Sequence, residues 1–398
     1  MQASRETSVR RIAVIATDYG PRSHADVIVS RWLEPLPTDH HYGWGDAKTK
    51  IASLFIEQRL EGRDLSAEKS RRLGIPIFTS IEEALTLGGD ELAVDAVLLI
   101  AEHGNYPDNE FQQRLYPRKD FFDRVVAILR KSGRTIPIFF DKHLSWNPTW
   151  IREMFLTIKQ ENIPFFGGSS LPYSPLHPGL ALSPLPEIEE IVAVYYDSLE
   201  AYLFHSIEYI QAIIEQRVGG ETGINEIVAW KDGAVWAALD RGEFSRELLM
   251  AAGQTVSEAE GRALEQFVTS RGEPVYAFQL RYRDGLKVTH LMQRDAVRKW
   301  FFAMRLKSPE QTVGAYVLTP GEKDFFPHFA RLNRMIEDFF LGGSPPTEPE
   351  RLYFTSMATA LSMRALAKEG SPLSTPELAL TYEELASGQL PELRLSEK

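Results

Sequence analysis

Residues 136–172 constrain the fold of this chain more than any other stretch. They begin with a short apolar run, which is typical of a strand buried on both faces of a parallel sheet. An Asn-Pro pair at 147–148 then predicts the start of a helix, and a second apolar run follows that helix. Parallel sheets bind ligands at the carboxyl ends of their strands. The charged residues that end the first run, Asp141, Lys142 and His143, are therefore the best candidates for chemistry.

The alternation of strand and helix extends back to the N-terminus. Apolar runs at residues 11–17, 51–56 and 94–100 predict further buried strands, and helical segments lie between them. This pattern predicts a doubly wound parallel sheet of the Rossmann type in an N-terminal domain, residues 1–170.

The second half of the chain has a different pattern. The Asp-Gly pairs at 232–233 and 284–285 predict β-hairpins, the first of which leads into a strand at residues 234–239. Because hairpins imply antiparallel pairing, we predict a second α/β domain, residues 171–375, with a mixed or antiparallel sheet. Residues 376–398 are mostly polar and predict a surface tail.

Composition and charge exclude several classes of function. The net charge of −11 comes from mixed acidic and basic residues, which argues against general binding of nucleic acids or anionic membranes. The chain has no cysteine, so disulfides, thiolate zinc sites and cysteine nucleophiles are excluded. No stretch reaches the ~18 apolar residues of a membrane span, and the N-terminus has no apolar segment like that of a signal peptide. We therefore expect a cytoplasmic protein with a small-molecule partner.

Four segments of the sequence match a pattern that is found in one family of enzymes. They are Asp95-Ala96-Val97, Asp141-Lys142-His143-Leu144, His205-Ser206-Ile207-Glu208, and Gly342-Gly343-Ser344-Pro345-Pro346 between two predicted helices. With their surroundings they resemble the glucose–fructose oxidoreductase and inositol 2-dehydrogenase (Gfo/Idh/MocA-like) family over most of the chain. The resemblance implies a Rossmann domain that binds NAD or NADP, followed by a second α/β domain with a large open mixed sheet. It also implies a homo-oligomer, often a dimer in which open sheets pack face to face.

The resemblance further implies a reaction. The family transfers hydride between a nicotinamide cofactor and a sugar, polyol or related carbohydrate, assisted by a lysine and a histidine that correspond here to Lys142 and His205. Three departures concern the site, and one of them is that Ala201 stands where the family has an aspartate four residues before its histidine. The Gly-x-Gly-x-x-Gly turn is replaced by residues 16–22, in which only Gly20 permits a close approach of the backbone to a pyrophosphate. In addition, His143 stands where the family has proline.

The cofactor is expected at the carboxyl ends of the first, second and central strands, where Rossmann proteins bind dinucleotides. The candidate cofactor-binding residues are Thr17, Tyr19, Gly20, Ser23, His24, Glu57, Glu102, His103, Asp141 and Lys142. The polar loop after the central strand and the turn after residue 168 suit a polyhydroxylated ligand. The candidate substrate-binding residues are Asn105, Tyr106, Arg118, His143, Ser169 and Ser170.

The candidate catalytic residues are Lys142, His205 and Glu208. Lys142 would polarise a substrate hydroxyl, or it forms an ordinary ion pair at the end of a strand. His205 and Glu208 are three residues apart and share one face of a helix, so Glu208 would orient His205 as a general base. The same pair could instead bind a divalent metal together with His103 or His143, or form a contact at the helix surface.

Three functions therefore remain open from the sequence. The first is an NAD- or NADP-dependent oxidoreductase that acts on a carbohydrate, which is the function we predict, without a bound metal. The second is a non-redox or metal-assisted hydrolase or lyase that acts on glycosides in the same cleft. The third is a sugar-sensing protein on a degenerate dehydrogenase fold, in which Lys142 and His205 have no catalytic role.

Overall fold

Six parallel strands form a sheet in the first half of the computed structural model, which describes residues 9–180, 185–261, 274–293, 298–319, 325–388 and 390–391. The strands are β1 (Arg11–Asp18), β2 (Lys50–Gln58), β3 (Ile77–Phe78), β4 (Ala96–Ile100), β5 (Ile138–Asp141) and β6 (Phe165–Gly168). Their order is β3-β2-β1-β4-β5-β6, and all neighbouring pairs are parallel. This is the strand order of a Rossmann sheet, so the predicted parallel sheet is confirmed.

Helices connect these strands and cover the sheet. One turn of π-helix (Asp26–Ser30) leads into α1 (Arg31–Leu33), and the later helices are α2 (Ser66–Leu73), α3 (Ile81–Thr86), α4 (Arg118–Ser132) and α5 (Pro148–Gln160). Helix α5 begins as predicted, with Pro148 at its first position. The side chain of Asn147 accepts hydrogen bonds from the backbone N–H groups of Thr149 and Trp150, which have no partner within the helix.

The second domain is built on an eight-stranded sheet. Its strands are β7 (Leu176–His177), β8 (Ile188–Tyr195), β9 (Ile224–Lys231), β10 (Val275–Tyr282), β11 (Lys287–Gln293), β12 (Phe301–Lys307), β13 (Glu310–Val317) and β14 (Leu373–Ser374). Their order is β14-β9-β10-β11-β8-β12-β13-β7. Strands β8 and β11 are parallel, whereas β10–β11 and β12–β13 are antiparallel. The predicted open mixed sheet and the hairpin at residues 284–285 are therefore confirmed.

The helices of this half also join the two domains. They are α6 (Leu199–Ile214), α7 (Gly233–Asp240), α8 (Arg246–Glu260), α9 (His328–Phe340), α10 (Pro349–Ala365) and α11 (Tyr382–Ala386). Helix α10 contacts β6 of the first sheet and β9 of the second. Helix α9 returns to the first domain, where Leu332, Ile336 and Phe340 share a core with residues of β1. None of the helices described has the length and apolar composition of a membrane span.

One predicted element is wrong. Residues 234–239 were expected to form the second strand of a hairpin, but they belong to helix α7 (Gly233–Asp240). The buried residues Val235, Ala238 and Leu239 have the spacing of one helix face, and the segment is rich in alanine, which favours helix. A short apolar run fits the periodicity of a strand as well as that of a helix. The Asp-Gly pair before it is typical of a hairpin and so favoured the strand.

Helices α7 and α8 cover the face of the second sheet that lies opposite α6. Trp236 of α7 and Leu248 of α8 pack in one core with Val194 and Ala303 of the sheet. The dimer implied by the resemblance would pair open sheet faces, and in this chain α7 and α8 occupy such a face. The homo-oligomer stays a prediction.

Part of the predicted C-terminal tail is packed against the second domain. Leu378 and Leu385 are fully buried, and α11 lies between residues 376 and 398. The domain limits that we predicted stay predictions.

Candidate active site

A cavity of about 340 Å³ lies at the carboxyl end of the first sheet, between the two domains. This is the edge at which open parallel sheets bind ligands, and the volume lies in the range of small-molecule sites. Six predicted site residues line the cavity: His24, Glu102, His103, Lys142, Ser170 and His205. The structure therefore brings together residues from three strand ends of the first domain and from α6 of the second.

Lys142 lies in the cavity wall directly after β5, and its backbone conformation is unusual. Its φ is +69°, and its backbone N–H donates to the carbonyl of Gly168 at 3.2 Å. Arg22 and His103, which also line the cavity, have φ values of +63° and +69°. Left-handed backbone at non-glycine residues is uncommon and costs about 1 kcal/mol or more. With Asp197 and Phe326, five such residues line this cavity, which marks it as a place where the surrounding fold imposes side-chain direction.

Lys142 and His205 form a hydrogen bond across the domain junction. The Nζ atom of Lys142 lies 2.5 Å from the Nε2 atom of His205, and both side chains are buried. Because an ammonium only donates, Nε2 accepts and the imidazole proton is on Nδ1. That proton is donated to the hydroxyl of Ser169 at 2.5 Å. Burial, with the nearby charge of Lys142, holds the pKa of His205 well below its usual value.

Glu208 does not orient His205, although the two residues share a helix. Its carboxylate accepts hydrogen bonds from the hydroxyl of Thr355 at 2.5 Å and from the backbone N–H of Ser169 at 3.2 Å. Burial raises the pKa of Glu208. Glu208 therefore supports Ser169, and Ser169 is the residue that holds the ring of His205.

Glu102 supplies the countercharge for Lys142. Its Oε1 atom lies 3.7 Å from the Nζ atom of Lys142, and Oε2 accepts a hydrogen bond from Arg118. Burial alone would raise the pKa of Glu102, but the charges of Lys142 and Arg118 outweigh burial and lower it. Burial lowers the pKa of Lys142, while Glu102 and Asp141 act in the opposite direction. Lys142 is thus a lysine whose proton is easier to remove than usual.

Arg118 and His143 do not line the cavity, although both were expected to contact substrate. Arg118 is fully buried and donates to the Nε2 atom of His143 at 2.9 Å. The ring of His143 packs 5.2 Å from that of Phe204 and lies 3.5 Å from Glu200. His143 therefore supports Arg118, and through Arg118 it supports Glu102.

Asp141 holds His24 in the cavity wall. The carboxylate Oδ2 of Asp141 lies 2.7 Å from the Nδ1 atom of His24. The ring of His24 lies 5.3 Å from that of His103 and 6.3 Å from that of His205. Burial, with the nearby His24, lowers the pKa of His103 to about 4. Two neutral imidazoles, His103 and His205, therefore flank His24.

Three predicted residues of the first turn face the protein interior. The hydroxyl of Thr17 donates to the carbonyl of Glu102 at 2.8 Å. The hydroxyls of Tyr19 and Ser30 are 3.0 Å apart, and Ser23 accepts from a backbone N–H within the turn. These residues shape the turn and do not line the cavity.

The end of β2 is covered by the loop that follows β4. The hydroxyl of Tyr106 donates to the carboxylate of Glu57, and the backbone N–H of Asn105 donates to the side chain of Gln58 at 2.7 Å. Tyr106 and Asn105 were expected to contact substrate, but they lie here, at the place where a Rossmann acid meets the adenosine ribose.

Part of the cavity wall that the second domain supplies was not predicted from the sequence. Tyr202, Trp300 and His328 line the cavity, and the Nζ atom of Lys142 lies 5.8 Å from the ring centre of Tyr202. Tyr202 is three residues from His205 on the same helix, so helical spacing could have identified it. Trp300 comes from the loop before β12 and His328 from the first position of α9, and no local signal points to them.

A metal-assisted mechanism receives no support from the arrangement of ligands. Within the residues described, no group of three or more His, Asp or Glu side chains could hold a metal ion. His143 is engaged with Arg118, and Glu208 is engaged with Thr355. They are not arranged around His103 and His205.

Comparison with solved structures finds the same fold in dehydrogenases. GenD2 from gentamicin A biosynthesis, in complex with NAD, matches with a TM-score of 0.55 at 12% identity, covering 92% of this chain and 97% of that one. Myo-inositol 2-dehydrogenase from Lactobacillus plantarum matches with 0.55 at 10%, covering 92% and 99%. Scyllo-inositol dehydrogenase from Lactobacillus casei, with bound NAD(H) and scyllo-inositol, matches with 0.52 at 10%, covering 92% and 99%. At these identities the likeness establishes a shared fold. No protein-family model matches the sequence, and no curated protein matches it.

The turn after β1 lies where a Rossmann protein would bind the pyrophosphate of a dinucleotide. A Cβ atom added at Gly20 would lie 2.7 Å from the guanidinium of Arg63, so this cation covers the turn where a glycine-rich motif would hold pyrophosphate. Arg63 is exposed and lies 3.4 Å from Asp18, whose Oδ1 atom is buried and has no hydrogen-bond partner among the residues that the structure describes. Burial raises the pKa of Asp18, and Arg63 opposes this effect. The turn fits a dinucleotide if Arg63 leaves Asp18 and binds the pyrophosphate instead.

Proposed function

We propose that this protein is a nicotinamide-dependent oxidoreductase that acts on a sugar, polyol or related carbohydrate. The observation that carries the proposal is the hydrogen bond between Lys142 and His205 in the wall of a cavity at the carboxyl end of the first sheet. The shared fold supports it, since solved structures with this fold include dehydrogenases in complex with NAD and with scyllo-inositol.

Lys142 and His205 act as one acid–base unit in this proposal. The ammonium of Lys142, held by Glu102, donates a hydrogen bond to the reacting oxygen of the substrate. During oxidation the neutral His205 accepts the hydroxyl proton at Nε2, once the substrate hydroxyl has replaced Lys142 as its donor. Ser169 keeps the ring in the required tautomer because its hydroxyl oxygen accepts a hydrogen bond from the Nδ1–H group.

The nicotinamide cofactor, when bound, supplies the acceptor for the hydride that leaves the substrate carbon. Arg63 would bind its pyrophosphate, and Glu57 would bind its adenosine ribose after release from Tyr106. A carboxylate at the end of β2 hydrogen-bonds a ribose 2′-hydroxyl and repels a 2′-phosphate. We therefore expect NAD to be preferred over NADP.

Binding and turnover test the proposal together. Quenching of tryptophan fluorescence or a shift in melting temperature should reveal binding of NAD(H), with weaker binding of NADP(H). Reduction of NAD should then follow with at least one member of a panel of inositols, hexoses and sugar acids. No binding of either dinucleotide would overturn the proposal. Binding without turnover, unaffected by Lys142→Met and His205→Gln, would favour a sensing role instead.

A cytoplasmic location and a homo-oligomer belong to the same proposal. The sequence predicts both, and gel filtration with light scattering would measure the second directly.

A further inference from the structure

The cavity wall contains three imidazoles that the proposed oxidation does not use, those of His24, His103 and His328. We propose that His24 is an acid–base residue, and that the cavity also catalyses proton exchange at the carbon next to the carbonyl of an α-hydroxy ketone. This inference rests on the proposed function for the position of the substrate oxygen at Lys142. It adds a reaction that needs no oxidant.

Asp141 gives His24 the arrangement of an oriented general base. The carboxylate lies 2.7 Å from Nδ1, and the side chain of Asp141 is only 2% exposed. An ionised carboxylate only accepts, so Nδ1 carries the proton and the lone pair is on Nε2. The side chain of His24 is 14% exposed and lines the cavity, and the described part of the structure gives Nε2 no hydrogen-bond partner. A buried carboxylate in this position fixes the tautomer and stabilises the imidazolium that forms when Nε2 takes a proton.

The position of His24 complements that of Lys142. The rings of His24 and His205 are 6.3 Å apart and close to parallel, and His205 holds the ammonium of Lys142 at 2.5 Å. The cavity therefore presents a proton donor for an oxygen and, on a neighbouring wall, a base for a C–H bond. The ring of Phe329 packs edge-on at 5.3 Å from His24 and limits its rotation.

The step balances without a cofactor. Nε2 of His24 takes the proton from the carbon that bears the hydroxyl, and the C–H electrons form the double bond of an enediol. The carbonyl π electrons move to the carbonyl oxygen, which takes a proton from the ammonium of Lys142. Return of a proton from His24 to the same carbon, with Lys142 regaining its own, restores the ketone. If the proton has exchanged with solvent, the restored ketone carries solvent hydrogen.

The competing role for His24 is a contact with a cofactor phosphate, as the sequence predicts. A phosphate contact would need the imidazole as a hydrogen-bond donor. Nε2 of His24 would then carry a proton, so His24 could not take one from carbon. The two roles therefore differ in whether exchange occurs when no cofactor is present.

The test is solvent exchange into ketones by the full chain in deuterium oxide, after removal of any bound nucleotide. The probes are dihydroxyacetone, fructose and 2-keto-myo-inositol, and deuterium at carbon is followed by NMR. We expect exchange with at least one probe, reduced by ~10²-fold or more in His24→Gln and by less in Asp141→Asn. His41→Gln, at an exposed position, serves as the matched control, and thermal unfolding shows that each variant is folded.

The outcomes separate this inference from the proposed oxidation. No exchange in the wild type with any probe, or exchange that is undiminished in His24→Gln, would overturn the inference. Hydride transfer to NAD without proton exchange would overturn the inference about His24 but leave the oxidoreductase proposal intact. Exchange without hydride transfer would support the inference and remove the oxidoreductase proposal.

Discussion

The carboxyl edge of the first sheet has two ends that are built differently. At the cavity end, near β4 and β5, Lys142, Glu102 and Arg118 are buried and paired with one another. At the other end, near β1 and β2, Arg63 and Glu57 are exposed and engaged by partners of this same chain.

The difference indicates separate tasks for the two ends. Buried charged groups that are paired and hydrogen-bonded keep their geometry when a ligand arrives, which is what catalysis requires. The contact between Arg63 and Asp18 is long, at 3.4 Å, and about half of the Arg63 side chain is exposed, so a ligand with a stronger charge can displace it. We therefore assign chemistry to the cavity end and exchangeable cofactor contacts to the first-turn end.

The largest effect is expected from Lys142→Met. This change removes the hydrogen-bond donor to the reacting oxygen, so turnover should fall by ~10³-fold, with a smaller change in KM. Lys50→Met, at an exposed position on β2, is the matched control and should retain wild-type turnover. A loss below about tenfold in Lys142→Met would contradict the assignment of chemistry to this end.

A fall in pH should lower the free energy of unfolding, because several histidines at the cavity end are buried. Burial lowers the pKa of His143, of His205 and, to about 3, of His328, so below their ordinary pKa the unfolded chain binds protons that the folded chain does not. This stability is fully present above ~6.5 and is lost as the pH falls, by up to about 1.4 kcal/mol per histidine and pH unit.

Urea unfolding at about pH 7 and about pH 5.5 would measure this loss. His328→Gln should remove one histidine's share of the slope. Equal stability at both pH values would show that these side chains are not held neutral.

A somewhat smaller effect is expected from Glu102→Gln. The change leaves the charges of Lys142 and Arg118 buried without a carboxylate, which should cost about 3 kcal/mol of unfolding free energy. Because Glu102 raises the pKa of Lys142, its removal should also move the alkaline limb of the kcat profile to lower pH. Glu61→Gln, at an exposed position, controls for the loss of one charge. If the alkaline limb does not move, deprotonation of Lys142 is not what limits turnover at high pH.

The smallest effect is expected at the first turn. Arg63→Ala should weaken NAD binding by about tenfold, since a hydrogen bond between charged groups contributes about 1.5 kcal/mol or more, and kcat should change little. Arg71→Ala, at an exposed position on α2, serves as the control. Unchanged affinity in Arg63→Ala would mean that the pyrophosphate does not lie at this turn.

The fold could largely be predicted because its long elements have one clear periodicity each. The strand β4 is a continuous apolar run, and α5 has both a capping Asn147 and a helical apolar face. The failure at α7 came from eight residues whose pattern fits a strand as well as a helix. Short apolar segments carry too little periodicity to distinguish the two.

The candidate site could be predicted only in part, because its contacts join distant residues. Lys142 and His205 are 63 positions apart, and the family resemblance brought them together where spacing could not. The local rule that paired His205 with Glu208 failed because tertiary packing turned Glu208 towards Thr355 of α10. Likewise, nothing near Asp141 in the sequence identifies His24 as its partner, since the two are 117 positions apart.

Transfer of deuterium from a carbohydrate to the cofactor tests the central claim most directly. The purified chain would be incubated with NAD and with inositols, hexoses and sugar acids that carry deuterium on their hydroxyl-bearing carbons, and the reduced cofactor would be analysed by mass spectrometry. We expect deuterated NADH from the wild type and from Lys50→Met, and at least ~100-fold less from Lys142→Met. Deuterium transfer that is equal in Lys142→Met, or absent from every substrate with both NAD and NADP, would contradict the claim.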